Sequence, residues 1–210
     1  KKIDELEAAG LTEIVVPMDS SDPLRHDALR SVSGCFDKAV KGLELARKKG
    51  LTTSLWVYAR KSNINEVGGI VRLGEDLGVE YIFIFFTLLS GRFFDRFDEL
   101  LTLEERDRMR AEFRGHRKVV FEFPTEKSPC SGGGYRHISV APSGDVTFCP
   151  SVPYSYGNIA ERPLAECLKD ITRDYRRFSC GTMGQCIVNS SEYRKNCSAK
   201  PLSELTAVAA

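Results

Sequence analysis

Seven cysteines stand in the 210 residues of the chain, and six of them crowd its last part: Cys130, Cys149, Cys167, Cys180, Cys186 and Cys197. Thiols in that density either close disulfides or hold a metal. An odd count, with no apolar leader core behind Lys1-Lys2-Ile3-Asp4, argues against a disulfide framework and for ligation. Cys130 and Cys149 frame a Cys-x13-Gly-x4-Cys spacing whose glycine, Gly144, follows Pro142-Ser143. That turn predicts a β-hairpin between residues 136–141 and 145–149, which brings thiolates at its two open ends toward one metal. Iron-sulfur clusters usually take four protein thiolates, so two more must come from Cys180, Cys186 and Cys197. Tetrahedral zinc also takes four thiolates, but its usual pair of close Cys-x2-Cys knuckles is missing from the sequence. Cys35, beside Phe36 at a helix start, and Cys167, beside Leu168, read as buried small apolar residues.

The elements that must carry these cysteines are sparse. After Pro124 the sequence turns to Ser, Gly, Pro and Cys, with a short helix expected from Leu164 to Ile171 behind Pro163. A hairpin, loops and one short helix bury little, so residues 125–210 need a staple such as a metal site. Residues 1–124 follow a different grammar. Three times a glycine that ends a helix precedes a β-rich run: Gly10 before Ile14-Val15-Val16, Gly50 before Leu55-Trp56-Val57, and Gly78 before Tyr81-Ile82-Phe83-Ile84-Phe85-Phe86. A fourth apolar run, Val119 to Phe123, ends at Pro124. Between them lie amphipathic stretches at 35–49 and 64–77, the second behind an expected Asn63 cap, and a capping box at Thr102-Leu103-Glu104-Glu105. Near-continuous apolar strands alternating with amphipathic helices predict an α/β fold with a parallel sheet. Four strands are half of the eight in a closed (β/α) barrel, so 1–124 reads as the C-terminal half of one, with an open sheet as the alternative. Phe83, Phe85 and Phe86 are assigned to its core, and Thr87 to Arg92 to the mouth of the third strand, where a substrate cavity is expected.

Lysine and arginine exceed aspartate and glutamate by one, 30 against 29, so no electrostatic footprint favours nucleic acid or an anionic membrane. No apolar run approaches the ~20 residues of a membrane span. A cytoplasmic protein is expected. Lys1 in place of Met, with Ile3, Leu6 and Ala9 reading as the last turns of a helix under way, predicts a fragment. The histidines His26, His116 and His137 show no spacing that suggests ligation or acid-base work. Asp27 beside His26 reads as a cap.

The Cys-x13-Gly-x4-Cys spacing, with Pro142-Ser143-Gly144-Asp145-Val146 before its second cysteine, Cys149-Pro150 at it and Gly157-Asn158-Ile159 after it, resembles the SPASM and twitch modules of radical S-adenosylmethionine (SAM) enzymes. The resemblance implies an auxiliary 4Fe-4S cluster. Cys180-x5-Cys186 fits the middle of the full SPASM pattern, but Arg177 and Ser190 stand where flanking ligands would be. One cluster is therefore implied, on Cys130, Cys149 and two of Cys180, Cys186 and Cys197, with Cys180 and Cys186 preferred and Cys197 the rival. In the first half, Val16-Pro17-Met18-Asp19-Ser20-Ser21 followed by His26-Asp27-Ala28-Leu29-Arg30 is similar to the fourth strand and following loop of the same enzymes, where a serine and an arginine contact SAM. Arg30 matches by position. Pro17 takes the serine's place, so a hydroxyl contact would come from Ser20 or Ser21.

The resemblance further implies a parent enzyme that cleaves SAM at a second 4Fe-4S cluster to a 5′-deoxyadenosyl radical. A peptide or protein substrate and an electron donor such as a flavodoxin or ferredoxin are implied with it. The Cys-x3-Cys-x2-Cys motif of that SAM cluster does not occur in these 210 residues. The alternatives are an iron-sulfur module that carries electrons or binds peptide without catalysis, and a zinc-stapled structural domain.

Overall fold

A computed structural model describes residues 2–121, 137–178 and 186–202. The described residues up to Thr87, with those from Asp98 to 121, form one compact unit; Leu88–Phe97 groups with the residues from 137 onward in a second.

In the first unit, strands β1 (Glu13–Pro17), β2 (Thr52–Ala59), β3 (Tyr81–Phe86) and β4 (Val119–Phe121) form one parallel sheet in chain order. Chain order is the arrangement of a barrel wall, and the α/β expectation holds. Alternation along β2 and β3 sends Leu55, Val57, Ala59, Ile82, Ile84 and Phe86 to one face, where all are fully buried. The helices that cover this sheet match the expected segments: α3 (Cys35–Lys48) buries Phe36, Leu43 and Ala46, and α4 (Val67–Asp76) buries Val67, Ile70 and Val71. α4 lies so close that a Cβ on Gly74 would stand 2.7 Å from Ile82 Cδ1. The opposite face carries Trp56, Tyr58 and Tyr81, all exposed, and the half-buried Phe83 and Phe85. Of the three phenylalanines assigned to the core, only Phe86 is there. The period of two in a strand decides this, because Phe83 and Phe85 alternate with the inward Ile82, Ile84 and Phe86. Their rings pack on aromatic neighbours instead, Phe85 at 5.2 Å from both Trp56 and Tyr58.

Two local expectations change. Residues 23–30 are helix α2 (Pro23–Arg30) rather than loop, begun by Pro23 at its first turn and by the Asp22 carboxylate, which accepts the Arg25 N–H at 2.8 Å. Asn63 does not cap the helical turn after it. Its side chain points inward, accepting the Arg60 N–H at 2.9 Å and donating to the carbonyls of Asp19 and Tyr58 at 3.2 and 3.1 Å, and a 3-10 turn (Ile64–Glu66) leads into α4. The Thr102 capping box forms with both of its bonds at the start of α5 (Leu103–Glu112). α1 (Lys2–Ala8) precedes β1.

The second unit is built on an antiparallel sheet, β5 (Ser139–Val140), β6 (Asp145–Thr147), β7 (Tyr154–Asn158) and β8 (Lys200–Pro201). The hairpin turns at Pro142-Ser143-Gly144 as expected, with Gly144 at φ +90° and its N–H on the Ala141 carbonyl at 2.8 Å. β7 and β8 are additional to it. The helix behind Pro163 runs through Phe178 (α6, Leu164–Phe178), seven residues beyond the expected Ile171. Its buried face reads Cys167, Ile171, Asp174 and Phe178, and the carboxylate among them breaks the apolar pattern. Asp174 is stabilised there by the N–H and hydroxyl of Ser198, at 2.7 and 2.9 Å. The polar 190–195 segment forms α7 (Ser191–Asn196), capped by Ser190 Oγ accepting the Tyr193 N–H at 3.2 Å.

Candidate functional site

Each described candidate ligand sits at the end of a short element of the second unit. Cys149 comes after β6, and its carbonyl accepts from Thr147 Oγ1 and the Val152 N–H, each at 3.1 Å. Cys186 opens the 3-10 turn Ile187–Asn189. Cys197 closes α7, its N–H bonded to the Tyr193 carbonyl at 2.9 Å. All three border one core, made of Val146, Phe148, Tyr156, Ile171, Val188 and Tyr193 among others. Burial pushes the Cys197 thiol up, and its Sγ is 3.7 Å from the Ala199 carbonyl. At the heart of that core the hydroxyls of Tyr156 and Tyr193 meet at 3.1 Å; burial raises both phenols, so they stay neutral.

The five described cysteines are thiols rather than disulfide halves. Soft donors without imidazole or carboxylate among them suit an iron-sulfur cluster or zinc. Among the described residues no three histidine, cysteine, aspartate or glutamate side chains are grouped to hold a metal. Cys130 and Cys180 lie outside the described residues. Cys167, expected to be a buried small apolar residue, is fully buried, and a Cβ on Gly157 would stand 3.1 Å from its Sγ. Cys35, expected to be buried, is half-buried. The helix start it occupies turns only Phe36 fully toward the sheet.

The first unit gathers a separate polar cluster at the C-terminal ends of β1 and β2. Asp19, 6% exposed, places one carboxylate oxygen 2.6 Å from Arg30 Nε and the other 3.3 Å from Arg60 Nη1. Arg60 Nε also donates to Ser62 Oγ at 3.0 Å. His26 is buried beneath; its Nδ1 accepts the Asp19 N–H at 3.2 Å, and burial holds its pKa below the usual 6.5. Asp27 caps the next helix, accepting the N–H groups of Gly34 and Phe36, and the Phe36 bond leads in lowering its carboxyl pKa. Arg30 thus stands at a strand end, oriented by Asp19, with its side chain one third exposed. Ser20 is fully buried and its Oγ accepts the Asp22 N–H at 3.0 Å. Sequence reasoning missed Asp19, Arg60 and Asn63. Asp19 lay inside the strand-and-loop motif, whereas Arg60 and Asn63 come from the end of another strand; Arg60 carried no local signal, and that of Asn63 pointed to a cap instead.

Residues 130–199 match the SPASM iron-sulfur cluster-binding domain. The AdoMet-dependent heme synthase of Methanosarcina barkeri is 24% identical over 231 residues, covering 93% of this chain and 64% of that protein. The PqqA peptide cyclase of Xanthomonas oryzae pv. oryzae is 25% identical over 181 residues, covering 78% of this chain and 49% of that protein. The crystal structure of Streptococcus suis SuiB shares the fold with a TM-score of 0.53 at 13% identity, over 84% of this chain and 51% of that one. The chain thus spans between about half and two thirds of the relatives it matches. No helix among the described residues is long and apolar enough to cross a membrane.

Proposed function

Taking the chain as a distant relative of radical SAM enzymes that carries a SPASM iron-sulfur domain, we propose that its C-terminal unit holds one auxiliary 4Fe-4S cluster and that the whole protein is a radical SAM enzyme. The cluster's ligands are Cys130, Cys149 and two of Cys180, Cys186 and Cys197, with Cys180 and Cys186 first. The observation that carries this is the SPASM match over 130–199, which takes in all five cysteines. Its support in the fold is that Cys149, Cys186 and Cys197 border one core at the ends of short elements.

SAM and its own cluster, when bound, supply hydrogen abstraction, and the auxiliary cluster supplies electron transfer or substrate docking. This chain's contribution at the SAM site is Arg30, whose guanidinium Asp19 and helix α2 hold at the strand end to receive an anionic group. Ser20 serves the turn through Asp22, so its part is to shape that strand end. The substrate is a peptide or protein, a reading supported by the relative named a PqqA peptide cyclase. A relative named a heme synthase, of similar identity, favours a second reading in which the substrate is not a peptide. The reductant is a small electron-carrier protein of the flavodoxin or ferredoxin class.

Anaerobic purification followed by iron, sulfide and zinc analysis tests the cluster. Iron and sulfide in equal amounts, with broad absorption near ~400 nm from sulfur-to-iron charge transfer, are expected. Stoichiometric zinc without colour would replace the cluster with a structural staple.

A further inference from the structure

Cys186 and Cys197 bracket a stretch of chain that grips a distant segment of the same unit. At the end of the 3-10 turn that Cys186 opens, Asn189 accepts the Leu89 N–H on its Oδ1 at 2.9 Å in a buried bond. One turn before Cys197, Arg194 of α7 lies with its Cζ 4.0 Å from the Phe94 ring centroid and 4.8 Å from that of Phe97. Its Nη2 pairs with Asp95 at 3.0 Å and its Nε donates to the Tyr154 hydroxyl at 3.3 Å. The Arg194 side chain is only 9% exposed and Leu89 is fully buried, so the grip is packed at these two residues, while Asp95 and Phe97 meet it from the surface. The gripped segment is Leu88–Phe97, which the chain enters after β3 and Thr87. Segments that come after the C-terminal ends of parallel strands are where α/β enzymes build their sites.

The gripping stretch is weak by itself. A 3-10 turn of three residues and a helix of six lie far below the length at which such elements hold in isolation. Fixing one or both of its terminal cysteines to a metal removes the freedom that opposes the grip. We propose that Asn189 and Arg194 are positioning residues that couple metal loading at Cys186 and Cys197 to the order of Leu88–Phe97. This rests on the reading of the C-terminal unit as a cluster site. By linkage the coupling runs both ways: whatever loosens the grip weakens metal retention by the same factor.

Hydrogen exchange on the intact chain, cluster-loaded and apo, with iron measured on the same samples, tests the coupling. Amides of Leu88–Phe97 should exchange about tenfold more slowly in the loaded protein, the scale of one well-packed cation-π and ion-pair contact. Arg194→Ala should remove most of that difference, the Asn189 bond remaining, leave protection in β1–β3 unchanged, and release iron at a several-fold lower chelator concentration. Arg194→Lys, which keeps the charge but loses the planar stack, should restore part of it. Phe97→Leu, at a side chain nearly half exposed, removes one ring at little risk to folding and should cost part of the same protection should Arg194→Ala not fold. Wild-type protein that binds no iron overturns the cluster reading and this coupling together. Iron-loaded protein whose Leu88–Phe97 exchange matches the apo form, or an undiminished difference in Arg194→Ala or Phe97→Leu, overturns the coupling alone.

Discussion

Replacing Asp19 by asparagine separates the two arginines that meet it. The substitution keeps the volume and removes the charge between Arg30, at 2.6 Å, and Arg60, at 3.3 Å. Arg30 is one third exposed, so it resolvates and its share is on the order of 1 kcal/mol or less. Arg60 is 9% exposed and must keep its charge in a nearly closed site. Removing one partner of a buried pair costs about 3–5 kcal/mol where nothing else meets the charge; Arg60 keeps other partners, Ser62 Oγ among them, which sets the expectation at the lower end. Asp19→Asn should therefore destabilise the first unit by about 3 kcal/mol, and Arg30→Gln by about 1 kcal/mol. Trp56, the one tryptophan of the chain, stands on β2 in that unit, so its fluorescence during urea unfolding reports on this unit rather than on the other. At a typical slope of about 2 kcal/mol per molar, the Asp19→Asn midpoint should fall by about 1.5 M. A shift under about 0.3 M, or a larger loss in Arg30→Gln than in Asp19→Asn, would refute the picture of Asp19 as the buried hub of this strand end.

Gly144 and His26 each give a further expected outcome. Gly144→Ala places a Cβ 2.6 Å from Asn158 Oδ1 at φ +90°, so both strain and overlap oppose it. It should lower the melting temperature of the second unit and reduce metal loading through Cys149, and calorimetry with iron analysis shows whether it does. His26 is held neutral by burial, with Asp19 and Asp27 favouring its charged form and Arg30 opposing it. Below the ordinary pKa of 6.5 the unfolded chain therefore binds a proton that the folded one refuses, and stability falls as pH drops from 6.5 toward the lower folded value. Urea midpoints of the Trp56 transition at pH 7 and pH 5.5 should differ by more in wild type than in His26→Asn.

The parallel sheet was legible because its signals are local and repeated: a helix-ending glycine, then a β-rich run, three times over. The Thr102 box and the Gly144 turn were legible for the same reason, since cap and turn chemistry is settled within four residues. Where partners are distant, the reading failed. Asn63 has the look of a cap, but the carbonyl it meets at Asp19 is 44 positions away. The last two turns of α6 were hidden because Asp174 occupies a core position, satisfied by Ser198 from beyond α7. α7 itself turns only Tyr193 inward, too little for a periodic signal, although the Ser190 cap was there to be read. For the candidate site, the cysteine spacing pointed to the module, while nothing local linked Asp19 to Arg60 or Arg194 to Phe94.

The thiolate set of the cluster is tested most directly by iron content in anaerobically purified wild type, Cys149→Ala and Cys35→Ala. About four irons per chain are expected in wild type and in Cys35→Ala, with nearly complete loss in Cys149→Ala. Equal iron in the two variants, or stoichiometric zinc in the wild type, would contradict a cluster held by Cys149.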